Sequence, residues 1–330
     1  MAVLLQITCQ AATKPPASKF QTVNGARLEY LDWGGSGPPL LFLAGLGSTA
    51  HIFEDLALEF KSNHRCLALT RRGFGKSEQT AEGYDLESLA RDIFAFATQL
   101  GLGDVTLVGH SYGGTEAIRA AQLFPQLFRR VILLDTANDT IPPDAPAAEA
   151  ELFAAFTGMS NSDRLSSLEN DRAWEKRLLG NVWSNAAESD LQETVVIAND
   201  GSVKGRTPGR ISAAIVSERA KGKWHITNIP VPAILIFAHN PWTEMLAGLS
   251  LDAPQIAEIT SAWDELDAAR RSQIEAFRRD SPGATIVEME HTVHHCFIQR
   301  KQRVVEEMRR FLADGAKLPL VTQTSRRAKP

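Results

Sequence analysis

The sequence predicts an α/β fold: a mostly parallel sheet of eight strands flanked by helices and interrupted by one largely helical insertion. Three observations carry this expectation. Short apolar runs alternate with segments whose apolar residues recur at helical spacing, the pattern of a sheet covered on both faces. One such run leads directly into Gly109-His110-Ser111-Tyr112-Gly113. The alternation stops near residue 137 and resumes near residue 229, which marks an insertion.

In chain order, Phe20–Trp33 reads as two strands turned at Asn24-Gly25, a dipeptide that supplies the positive φ a tight hairpin needs. Leu40–Leu43 is a continuous apolar run, as expected of a strand buried on both faces. A helix over Ala50–Phe60 and an apolar run at Arg65–Leu69 follow. Leu86, Leu89, Ile93, Phe96 and Leu100 line one face of the next helix. Val105–Val108 is a further buried strand, and the helix after it ends at Pro125. Val131–Leu134 completes the sixth strand and ends on Asp135.

From Ala137 to Asn228 the chain reads as helical and irregular, entered through Pro142, Pro143 and Pro146. Strands return at Val231–Phe237 and Ala284–Met289, separated by a helical stretch over Ala262–Arg279, and Val304–Leu312 closes as an amphipathic helix. The expected organisation is an N-terminal flexible segment (1–18), a core (19–136 and 229–313), a helical cap (137–228) and a C-terminal tail (314–330). An insertion after the sixth strand sits over the carboxyl ends of the sheet, where open α/β sheets bind ligands.

Composition narrows the function. Hydrophobic residues make up 44% and charged residues 22%, enough to bury a core in a globular chain. A formal net charge of -4 without a basic patch argues against a nucleic-acid partner, and Arg326-Arg327-Ala328-Lys329 reads as a solvated end. No apolar stretch is long enough to span a membrane. Met1–Ile7 is apolar but lacks the basic residue and length of a complete secretory signal, so it reads as a disordered start, with a signal remnant as the alternative. Cys9, Cys66 and Cys296 are too scattered for a disulfide framework or a zinc site, and Cys66 reads as a small core residue. No metal or organic cofactor is implied.

Gly109–Gly113 matches Gly-x-Ser-x-Gly, the turn that lifts a serine hydroxyl above a sheet edge at the start of a helix. Side chains at the two glycines would collide with neighbouring backbone. A serine hydroxyl needs a base, and three of the eight histidines, His291, His294 and His295, follow the last strand. The imidazolium in turn needs a carboxylate. Asp135 lies at the same sheet edge as Ser111, with Asp139 and Glu244 as lesser candidates. Two backbone donors would complete the site, Tyr112 N–H after the serine and Leu46 N–H in the loop Ala44-Gly45-Leu46-Gly47.

Leu41–Gly47, Arg71-Arg72-Gly73-Phe74-Gly75-Lys76-Ser77, the serine turn, Leu133-Leu134-Asp135 and the terminal histidine region together resemble the α/β-hydrolase superfamily, over about residues 20–313. The resemblance implies that the base stands where His294 does, with His295 as the next choice. Two departures stand out. Ala44 replaces a frequent histidine, and the segment after the seventh strand, Ala238-His239-Asn240-Pro241-Trp242, lacks the usual acid, which throws the weight onto Asp135.

Relatives with an aspartate at the turn, the epoxide hydrolases and dehalogenases, form an alkyl-enzyme ester, whereas Ser111 implies acyl transfer. The expectation is a carboxylesterase-type serine hydrolase acting on a small-molecule ester or lactone. A C–C bond hydrolase, an acyltransferase or a non-catalytic ligand-binding member of the fold are the alternatives. Phe153, Phe156, Met159, Trp174 and Trp183 could line an acyl pocket or simply pack.

Overall fold

The computed structural model describes residues 16–136, 160–220, 227–239, 246 and 252–314. Its centre is an eight-stranded sheet built from β1 (Lys19–Val23), β2 (Ala26–Gly34), β3 (Pro39–Leu43), β4 (Arg65–Leu69), β5 (Val105–His110), β6 (Phe128–Leu134), β9 (Ala233–Ala238) and β10 (Thr285–Met289). A two-stranded hairpin, β7 (Val195–Ile197) and β8 (Val203–Gly205), belongs to the insertion.

The sheet order is β1-β2-β4-β3-β5-β6-β9-β10. β1, β2 and β4 pair antiparallel in turn, and every pairing from β4 to β10 is parallel. The hairpin turns at Asn24 and Gly25, both at positive φ, as the Asn-Gly pair requires. β3, β5 and β9 are buried along their whole length, which is why they read as unbroken apolar runs.

Helices cover both faces. α1 (Glu54–Ala57), preceded by a 3-10 turn at Ala50–Phe53, is shorter than the helix expected over 50–60. α2 (Leu86–Gln99) is capped by Asp85, whose carboxylate accepts from Ser88 N–H at 2.9 Å. It buries Leu86, Leu89, Ile93 and Phe96 on one side of the sheet, beside α3 (Tyr112–Leu123). The other side is closed by the 3-10 turn, α1, α9 (Cys296–Gln299) and α10 (Lys301–Asp314), around Phe42, Phe53 and Phe297. Phe42, Phe53 and Phe297 form a ring series with centroids 5.2 Å apart at each step. Cys66 and Cys296 are free and buried.

The insertion carries α4 (Asn161–Arg164), α5 (Leu168–Leu178), α6 (Asn185–Thr194) and α7 (Gly209–Ala220). The β7–β8 hairpin was not expected there, because three-residue strands fall below any reliable periodicity. α6 reaches the loop that follows β3: Asp190 Oδ1 accepts from Thr49 N–H at 2.7 Å and from Thr49 Oγ1 at 2.6 Å. The insertion therefore meets the sheet at the carboxyl ends of its strands. α8 (Ala253–Asp280) extends the helix expected over 262–279. Among the described residues, no helix is long and apolar enough to cross a membrane.

Candidate active site

Ser111 stands between β5 and α3 with φ 51° and ψ -124°, a conformation an L-residue adopts at a cost of about 1–3 kcal/mol. Neighbouring backbone imposes it. A Cβ at Gly109 would lie 2.4 Å from Gly114 Cα, and one at Gly113 would lie 2.2 Å from Leu43 O. A third glycine, Gly114, is equally required, since its Cβ would fall 1.9 Å from Thr136 Oγ1. The turn is anchored by Ser111 N–H to Leu134 O at 3.0 Å and by Thr136 Oγ1, which donates to Ser111 O at 3.2 Å.

Asp135 follows β6 directly, at φ 51° and 1% exposed. Its N–H is held by Ile236 O at 2.8 Å, which fixes the carboxylate at the junction of β6 and β9. Oδ2 accepts from His294 Nδ1 at 2.6 Å. Oδ1 accepts from Ala238 N–H at 2.9 Å and from Arg270 Nη2 at 2.7 Å. Burial works against the charged form, yet the Arg270 guanidinium, the His294 contact and the Ala238 N–H outweigh it and hold the carboxyl down to about 2. Asp139 and Glu244 lie outside the described residues.

His294 lies on the loop between β10 and α9, its side chain 36% exposed. That loop is tied to the end of β9 by Thr292 N–H to His239 O at 3.0 Å and His239 N–H to Met289 O at 2.9 Å. Val293 N–H donates to Gln299 Oε1 at 2.8 Å, which sets the loop's approach to α9.

His110, the residue before Ser111, joins the two segments. Its Nε2 donates to His294 O at 3.2 Å, so the proton sits on Nε2, and its ring lies 4.6 Å from the rings of both His294 and His295. Burial, with the neighbouring His294 and His295, pushes His110 well below its ordinary value, and burial pushes His295 down to about 3. Both are neutral packing rings at neutral pH. Of His294 and His295, it is His294 that bonds Asp135; His295, also partly exposed but with its Nδ1 buried, packs its ring against His110 instead. His291 stands at φ 51° one turn earlier, with its carbonyl accepting from Arg300.

The loop after β3 packs against the serine turn: a Cβ on Gly45 would lie 3.1 Å from Ser111 Cβ and 3.0 Å from His110 Nδ1. Arg71 holds this loop from behind. Its Nη2 donates to Ala44 O at 2.7 Å and its Nη1 to Gly45 O at 3.3 Å. Glu116 of α3 grips the same guanidinium at 2.5 and 2.7 Å. In a planar trans peptide the N–H opposes the carbonyl, so a Gly45 carbonyl turned to Arg71 sends Leu46 N–H to the opposite side. The Leu46 side chain is 38% exposed. The support left open by Ala44 thus comes from Arg71, below the loop.

Arg270, Arg71 and Glu116 were not singled out from the sequence as site residues. Arg71 lay inside a quoted motif, but nothing there tied it to residue 44. Arg270 sits in an amphipathic helix rich in arginine, with no local signal. Of the aromatic residues considered for a pocket, Trp183 donates to Glu188 at 3.1 Å and Trp174 lies under Arg164, 3.6 Å from its ring centre, so both pack within the insertion. Phe153, Phe156 and Met159 are outside the described residues.

A family model described as "alpha/beta hydrolase fold" matches residues 38–179. A 2-(acetamidomethylene)succinate hydrolase of Mesorhizobium japonicum is 36% identical over 101 residues, 31% of this chain and 36% of that protein. Epoxide hydrolase 4 of Mus musculus is 32% identical over 121 residues, 36% of this chain and 34% of that protein. The matched stretches therefore span about a third of these curated relatives. A crystal structure of E-2-(acetamidomethylene)succinate hydrolase superposes with a TM-score of 0.63 at 19% identity, covering 90% of this chain and 99% of that one. At that identity the likeness is one of fold.

Proposed function

We propose that this chain, whose fold is that of the α/β hydrolases, is a serine hydrolase that cleaves a carboxylic ester or lactone through an acyl-enzyme on Ser111. One observation carries the reading: His294 Nδ1 bonds a buried, ionised Asp135 at 2.6 Å. A carboxylate can only accept, so the Nδ1 proton is fixed there and Nε2 keeps its lone pair for a serine proton.

Ser111 Oγ attacks the carbonyl carbon as His294 Nε2 takes its proton. The developing oxyanion is met by Leu46 and Tyr112 N–H groups, with Arg71 and Glu116 fixing the loop that carries the first. The imidazolium returns its proton to the leaving alcohol oxygen as the C–O bond breaks. Water, deprotonated by the same nitrogen, then attacks the acyl carbon and releases Ser111. Arg270 acts through Asp135: its charge favours the ionised carboxylate, and its bonds to Asp135 and Ala238 O hold that carboxylate in place. The insertion serves as the cap that shapes the acyl pocket.

The likeness to a hydrolase named for an acetamido substrate favours a second reading, amide cleavage by the same residues. p-Nitrophenyl esters of increasing chain length, run beside p-nitroacetanilide, separate the two. Labelling by a fluorophosphonate, lost in Ser111→Ala, is expected. A wild-type chain that neither labels nor turns over any member of the panel would overturn the proposal in favour of a non-catalytic ligand-binding protein.

A further inference from the structure

A second cluster shares no residue with the Ser111 site and lies where the insertion meets the core. Glu29 comes from β2, His51 from the 3-10 turn after β3, and Glu193 from α6. Their ligand-type atoms all lie within 4.8 Å of one another.

His51 Nδ1 donates to Glu54 Oε1 at 2.9 Å, which turns Nε2 towards Glu29 Oε1, 3.5 Å away. That separation is too long for a sound hydrogen bond. Among the described residues His51 Nε2 has no hydrogen-bond partner, although its side chain is only 9% exposed. Glu193 shows the same asymmetry: Oε1 pairs with Lys76 Nζ at 2.5 Å, while the buried Oε2 has no partner among the described residues. Leaving a buried polar atom unsatisfied costs about 1–3 kcal/mol, and here two such atoms belong to side chains clustered with Glu29.

The spacing suits a cation. Ligands bound at about 2.0–2.1 Å around a tetrahedral ion stand roughly 3.4 Å apart, close to the Glu29–His51 separation of 3.5 Å. The charge suits one too. Glu29, Glu54, Glu193 and the nearby Asp190 are answered by Lys76 and, when protonated, His51. One imidazole with two carboxylates is a donor set that zinc accepts.

We propose that Glu29, His51 and Glu193 form a divalent-cation site, with zinc as the fitting ion and a water as fourth ligand, which fastens α6 of the insertion to β2 and the loop after β3. The site is independent of the Ser111 chemistry, because it supplies no group to that reaction. The three ligands are 22 and 142 residues apart in sequence, which is why no metal-binding spacing announces them.

The full chain is stripped with EDTA, desalted, incubated with equimolar zinc chloride and desalted again, and the retained metal is counted by mass spectrometry. Wild type is expected to keep one zinc per chain and to gain thermal stability from it. Co(II) in its place should give the intense visible bands of a tetrahedral ion. Glu193→Gln, on the half-buried insertion side and therefore expected to fold, should lose the retained metal and the stabilisation. Its affinity should fall by more than the roughly 10- to 100-fold typical of outer ligand partners. His51→Gln should do the same. Wild type that keeps no zinc, or retention equal in wild type and both variants, would overturn the site; the first would leave His51 an imidazolium between Glu29 and Glu54, the second would place the metal elsewhere.

Discussion

The two halves of the Ser111 site are held by different physics. On the β5 side, sterics do the work: Gly109, Gly113 and Gly114 admit no Cβ, and Ser111 takes a positive φ between a strand and a helix. On the β6–β9 side, charge does it. Asp135 is aimed by His294, Arg270 and Ala238 N–H, contributed by three separate segments. The first arrangement presses the serine turn against the end of β3 and against Thr136, and it tolerates almost no change in shape. The second is assembled from distant side chains and should tolerate substitution in fold while losing chemistry.

The largest expected effect is Ser111→Ala, or His294→Ala, each lowering kcat on an active ester by roughly 10⁶-fold while the chain still folds. Turnover retained in Ser111→Ala would remove the acyl-enzyme and with it the reason for the strained turn. Asp135→Asn should cost about 10⁴-fold while the chain still folds, because an amide cannot hold the Nδ1–H tautomer against a bound arginine. Near-wild-type rates would move the acid to Asp139 or Glu244.

Gly113→Ala probes the other half. A Cβ 2.2 Å from Leu43 O must displace the loop after β3, so destabilisation of about 3 kcal/mol or more is expected, read as lost soluble yield and a lowered denaturation midpoint. A stable, folded Gly113→Ala would break the contrast between the halves.

His110 and His295 give the site a pH signature. Burial holds His295 down to about 3, against an ordinary 6.5. The unfolded chain therefore takes up the proton first, so stability falls as pH drops below about 6.5 and stops falling only when the folded ring protonates near 3. At pH 5 the penalty is about 2 kcal/mol for that ring. His295→Asn should narrow the gap between the melting temperatures at pH 7.5 and pH 5, whereas an unchanged gap would mean the ring is not held neutral. Asp135 has the opposite sign: its folded value of about 2 lies below the ordinary 3.8, so its contribution is present above pH 4 and is lost as pH falls towards 2.

Arg270→Gln is the mildest test. Loss of its charge should reduce kcat by about tenfold, equivalent to one pKa unit of support for the carboxylate, and should shift the acid limb of the kcat/KM profile. Arg270→Lys should recover part of that shift, whereas a purely structural arginine would change stability and leave the profile where it was.

These contrasts follow what could be read from the chain. The sheet was legible because β3, β5 and β9 are buried on both faces and so spell continuous apolar runs. The serine turn was legible because the residue types it requires lie within six consecutive positions, 109–114, even though Leu43 and Thr136 supply the contacts that exclude a Cβ at Gly113 and Gly114. Asp135 and His294 were reachable through their places after particular strands and through resemblance, since a strand end fixes where the next residue emerges.

Arg270, Arg71 with Glu116, and the Glu29–His51–Glu193 cluster left no such trace. Each is a side-chain contact across 45 or more residues, or between elements whose docking no local pattern encodes. The sequence alone determined the periodicities, the glycine positions and the order of strands, because these depend on neighbours a few bonds away. Tertiary structure alone decided which charge meets which, because a guanidinium or carboxylate has no preferred partner until packing brings one within about 3 Å and excludes the water that would otherwise answer it.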